Sequence, residues 1–183
     1  MRCAPLIVVV VLGACGGRTP AARAPVASVK SEIDQAETAE RARKHDVARV
    51  HYQRAIAIAP DPASSAFARR EFAETLATWG EVEEALAQLE QSVQLVGDDA
   101  AAWHDLGILR HNRGDLPGAT TALERAKTLA PEDFRPRVAL AALRWKTGDR
   151  AGATAEYRAL LELELPERLR AKVKWALDQL AKP

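Results

Sequence analysis

The sequence predicts an all-α protein, a stack of helical hairpins closed by a capping helix. Three observations carry that prediction. Glycine recurs every 34 residues at Gly80, Gly114 and Gly148, and Ala85, Ala119 and Ala153 keep the same interval. Large apolar residues pair three or four positions apart, as in Phe72 with Leu76, Leu106 with Leu109 and Leu140 with Leu143, the spacing that lines one face of a helix. Aspartate directly follows glycine at Gly114-Asp115 and Gly148-Asp149, placing a helix stop beside a helix start.

The clearest copy runs from Trp103 to Pro131. Trp103, Leu106 and Gly107 stand at the spacing W-x2-L-G, followed by Gly114-Asp115, Ala119, Leu123, Ala126 and Pro131. This order resembles the tetratricopeptide repeat, and the resemblance implies a right-handed superhelical solenoid of such hairpins. The register extends without a gap to Phe72, Ala73 and Leu89 upstream and to Leu140, Ala141 and Tyr157 downstream. Small residues at Ala73, Gly107 and Ala141 let paired helices approach to about 8–10 Å. The pattern departs from the family where Arg110 and Arg144 stand in place of an aromatic, where Arg69 and Arg137 stand in place of Trp103, and where Gly97 replaces the proline that Pro131 supplies.

In chain order, Arg2 and the apolar run Leu6 to Leu12 have the layout of a secretory signal, too short for a bilayer core of about 30 Å. Leu12-Gly13-Ala14-Cys15 resembles the lipobox of bacterial lipoproteins. That resemblance implies a signal peptide over 1–14, cleavage before Cys15, acylation of Cys15 and, because Gly16 is not aspartate, an outer-membrane lipoprotein facing the periplasm. Plain secretion and a buried N-terminal segment are the alternatives. Cys3 would leave with the signal, so Cys15 would have no disulfide partner. Residues 15–30 form the lipidated N-terminus and a flexible tether rich in Pro, Gly and Ala; its Arg18, Arg23 and Lys30 either approach anionic head groups or only keep it soluble.

Ser31-x-x-Asp34 is a loose capping box for the first helix. Residues 31–60 then make a degenerate first repeat, in which Ala48, Tyr52, Ala55 and Pro60 reproduce the second-helix pattern three residues out of step. The offset implies a short insertion after Pro60, and Asp61-Pro62 predicts an early helix start. Repeats two, three and four occupy 66–99, 100–133 and 134–165, and 166–183 form the capping helix, with Leu169, Val173, Ala176 and Leu180 on one face.

Charge narrows the function. The chain has 26 Lys plus Arg against 25 Asp plus Glu, and loss of Arg2 would leave 25 against 25, which argues against nucleic acid as a partner. The balance is uneven: Ala66 to Asp99 holds two basic and eight acidic residues, whereas Phe134 to Pro183 holds eleven basic and six acidic. No nucleophile elbow, P-loop or dinucleotide fingerprint is present, so no catalytic residues, metal or cofactor are expected. His104 and His111 lie seven apart, wider than the i, i+4 pair of helical metal sites.

In the repeat family the first helix of each hairpin lines a concave groove. Carried over by register, the groove comprises Phe67, Arg70 and Glu74, then Ala101, His104, Ile108 and His111, then Arg135, Val138, Ala142 and Trp145. Trp145 either lines the groove or lies under the capping helix. The expected function is a non-catalytic, membrane-anchored scaffold that holds a protein or peptide segment within a bacterial envelope assembly. The alternative is a self-associating structural or regulatory component.

Overall fold

The computed structural model describes residues 28–182. The signal segment, Cys15 and the tether up to Ala27 lie outside the described residues. Nine helices follow one another among the described residues: α1 (Val29–Arg41), α2 (His45–Ala57), α3 (Pro62–Trp79), α4 (Val82–Leu95), α5 (Ala100–Arg113), α6 (Leu116–Leu129), α7 (Phe134–Lys146), α8 (Arg150–Leu161) and α9 (Glu167–Leu180). None is long and apolar enough to cross a membrane.

Side chains fix most of the helix starts. Asp61, Asp115 and Asp149 accept from the backbone N–H three residues on, at 2.7, 3.0 and 2.8 Å; Asp99 caps α5 through the N–H groups of Ala101 and Ala102, and Asp133 caps α7 through that of Arg135, two residues on. Each satisfies a donor that a helix N-terminus leaves orphaned. The first helix begins earlier than the expected Ser31, because the Ser28 hydroxyl accepts from the Ser31 N–H at 3.1 Å. Val29 and Lys30, expected in the tether, are the first turn of α1.

The turns inside the hairpins share one backbone solution. Gly80, Gly114 and Gly148 take φ of 85°, 89° and 84°, which costs glycine nothing. In the first hairpin Arg43 fills that role with φ of 56°. The insertion after Pro60 becomes an extra turn: α3 has 18 residues where α5 has 14, and Pro62 sits in its first turn.

Within each hairpin the two helices pack closely, and each second helix then packs on the first helix of the next hairpin. First helices of successive hairpins also touch, whereas among the described residues successive second helices do not. The stack therefore curves with α1, α3, α5 and α7 on its inner side. Where α5 crosses α6, a Cβ added to Gly107 would lie 2.6 Å from Leu123 Cγ. Leu76, Leu89, Leu106, Leu123, Leu140 and Leu160 are all buried along the stack.

Charged pairs fill the positions where the repeat departs from the aromatic pattern. Arg110 reaches Glu90 at 2.9 Å, and one repeat later Arg144 reaches Glu124 at 2.5 Å. In the preceding copy Leu76 occupies the position of Arg110 and joins the apolar core. Similarly, Arg69 donates to Gln88 at 2.7 Å, and two repeats on Arg137 donates to Glu156 at 3.1 Å. Glu156 is 5% exposed and also receives Lys127 at 2.8 Å and Arg144 at 3.2 Å. Packing around Arg110 and Arg144 is thus ionic, which splits the core into a larger N-terminal cluster and smaller ones over α5 to α9.

Helix α9 closes the far end with Val173, Ala176 and Leu180 against Tyr157 and Leu160. Arg170 donates to the carbonyls of Leu161 and Leu163, at 3.2 and 3.0 Å, and Arg150 donates to that of Leu180 at 2.8 Å. These bonds occupy carbonyls that helix ends leave open.

Candidate binding groove

The inner side of α3, α5 and α7 forms a groove of about 330 Å³. Its floor is apolar, with Ala73, Ala77, Leu89, Ile108 and Leu109, because the small residues that let paired helices approach leave a trough between the larger side chains. Polar groups stand on the walls. Arg70, Glu74, His104 and Arg135 all line it, so six of the eleven expected groove residues, Ala101 and Ile108 included, come together.

Neighbours along the chain or across the groove hold several of these groups in place. Arg70 lies 3.1 Å from Glu71 and 3.8 Å from Asp99, and its guanidinium carbon sits 5.7 Å from the Phe67 ring centroid. Arg135 is tied to Asp133 at 2.7 Å, a contact that raises the Arg135 pKa and lowers that of Asp133 below the usual carboxylate value. His104 Nδ1 lies 3.1 Å from Asp105 Oδ1. Burial, followed by the charges of Glu74, Glu37 and Asp105, pushes the Glu71 carboxyl upward against the opposing pull of Arg70.

The remaining expected contacts lie elsewhere. Phe67 is 44% exposed at the N-terminal rim of α3. His111 lines a neighbouring hollow of about 260 Å³ with Ile108, Ala142 and Lys146. Val138 and Trp145 pack into the C-terminal cluster instead of the groove. The Trp145 ring centroid lies 6.2 Å from that of Tyr157, edge-on at 90°, and 6.2 Å from that of Trp175. After the α7–α8 hairpin, α9 brings its own Trp175 onto this position.

Sequence reasoning named Glu74 but passed over Asp105, Glu71 and the α1 carboxylates Glu37 and Glu40. Glu37, Glu40, Glu71 and Glu74 line a second hollow of about 280 Å³ that shares Glu74 with the groove. Their signal was the pair of three-residue spacings, 37 to 40 and 71 to 74, which puts each pair on one helix face. Among the described residues no group of three or more His, Cys, Asp or Glu side chains is arranged to hold a metal ion.

No protein-family model matches the chain, and no curated protein matches it. Solved structures do. The structure of MamA superposes with a TM-score of 0.65 at 20% identity, covering 79% of this chain and 81% of that one. Yeast Tom70 gives a TM-score of 0.74 at 19% identity over 83% of this chain and 32% of its own. PilF of Pseudomonas aeruginosa gives 0.67 at 16% identity over 84% of this chain and 73% of its own. All three contain tetratricopeptide repeats. With its hairpins in the same arrangement, the chain has the tetratricopeptide-repeat fold.

Proposed function

We propose that the protein is a non-catalytic scaffold that holds a segment of a partner protein in the groove of α3, α5 and α7. The observation that carries this reading is the apolar trough between Ala73 and Leu109, open on one side and rimmed by fixed charges. Such a surface suits an inserted helix or extended segment, with side chains seated on the floor and polar groups setting register. The walls hold no nucleophile paired with a base, which favours binding over chemistry.

The same reading places the scaffold at a membrane, through acylation of Cys15 in a bacterial cell envelope, on the periplasmic face of the outer membrane. Its support is the apolar run from Leu6 to Leu12 followed by Leu12-Gly13-Ala14-Cys15. Several acyl chains give stable anchoring where one does not.

Two measurements test the two halves separately. A photo-crosslinking amino acid at Ile108 should yield a discrete adduct in intact cells, and one at the exposed Thr128 of α6 should not; equal adducts at both positions would remove the groove from the account. Labelled palmitate should enter the wild-type chain and not the Cys15→Ser variant, which should leave the membrane fraction. Equal labelling of the two would rule out the anchor.

A further inference from the structure

The groove is continuous with an acidic wall. Glu37 and Glu40 of α1, Glu71 and Glu74 of α3 and Asp105 of α5 face the two adjoining hollows. Nearby cations are already engaged, Arg70 with Glu71 and Arg135 with Asp133, while Glu37 meets only the exposed Arg41, at 2.9 Å along its own helix, a surface pair that a ligand displaces at little cost. Among the described residues no cation pairs with Glu74 or Glu40, and Glu40 is met by the Thr75 hydroxyl at 2.5 Å. The carboxylates crowd enough that burial and mutual repulsion push Glu71 upward.

Two kinds of ligand could balance this charge. A divalent ion needs carboxylates converging within about 2.6 Å of one point, and no such group exists among the described residues. The negative charge is instead spread over three successive first helices, beside a floor of Ala73, Ala77, Leu89, Ile108 and Leu109. A spread of that kind matches cations spaced along a chain, with apolar side chains between them.

We propose that the segment held in the groove is basic: a helical or extended stretch of a partner protein whose Lys or Arg side chains meet Glu37, Glu74 and Asp105 while its apolar side chains fill the floor. This rests on the reading of the groove as a partner site and adds the chemical class of the partner. Rim charges of this kind act mainly on association rate and on salt dependence.

The test is selection of a random peptide library on the immobilised full chain. Enriched peptides should combine Lys or Arg with aliphatic residues and should bind more weakly as salt is added. Neutralising two rim groups in Glu37→Gln/Glu74→Gln should weaken the enriched peptide about tenfold, the combined effect expected of two partly exposed pairs. Ala101→Trp, which fills the groove, should abolish binding. Circular dichroism would establish that both variants keep their helices. Neutral or acidic peptides that are blocked by Ala101→Trp overturn the basic class while leaving the groove as a partner site. Peptides indifferent to Ala101→Trp, or no enrichment at all, overturn both.

Discussion

Arg43 carries the one left-handed backbone among the described non-glycine residues. A side chain in that conformation costs roughly 1–2 kcal/mol, so Arg43→Gly should raise stability by about 1 kcal/mol in urea denaturation, although glycine is usually a loss. Glu71 offers a second test at this scale. Its pKa is raised from 4.5, mainly by burial, so its protonated form favours folding. That contribution is complete below the unfolded pKa and disappears as pH rises through the higher folded one. Glu71→Gln should therefore melt higher than wild type at pH 7, and the two melting temperatures should converge below pH 4.5. A gap that stays constant with pH would contradict this.

At the scale of helices, the decisive contact is the crossing of α5 and α6 at Gly107. Even a methyl group there meets Leu123 Cγ at 2.6 Å, and overpacking of this kind costs about 1–3 kcal/mol. Gly107→Ala should lose that much, measured by denaturant midpoint, and the loss should shrink in a Leu123→Ala background because the two changes share one space. Much at this scale could be read in the sequence. Turn glycines, capping aspartates and small residues each have a local mechanical cause, so position in the chain identifies them. The start of α1 was less legible because Ser28 and Ser31 both suit a cap, and only Ser28 has a free hydroxyl aimed at an amide three residues on. The site was half legible. Helical periodicity separates buried from solvated positions, but it does not separate the solvated inside of a curve from its outside. For that reason Glu37, Glu40 and Asp105 read as plain surface. Trp145 depended on where α9 comes to rest, which no residue of α7 encodes.

For the whole molecule, a stack in which each hairpin meets only its neighbours should lose stability locally. Glu156 is the sharpest probe, since it joins Lys127 of α6 with Arg137 and Arg144 of α7 at 2.8 to 3.2 Å. Removing one member of a buried ionic group costs about 3–5 kcal/mol. Glu156→Ala should speed amide exchange across α6 to α8 and leave α1 to α4 protected, whereas uniform loss of protection would mean that the chain unfolds as one unit. The contact pattern also bears on mechanics. Among the described residues inner helices touch along the length of the stack and successive outer ones do not, so the stack resembles a folding fan riveted along one edge. A hinge of that kind would let the ribs spread or close by tilting rather than by sliding past one another. Under the proposed function, a wide guest and a narrow one would be gripped by the same cleft, its gape adjusted by small rotations shared among hairpins.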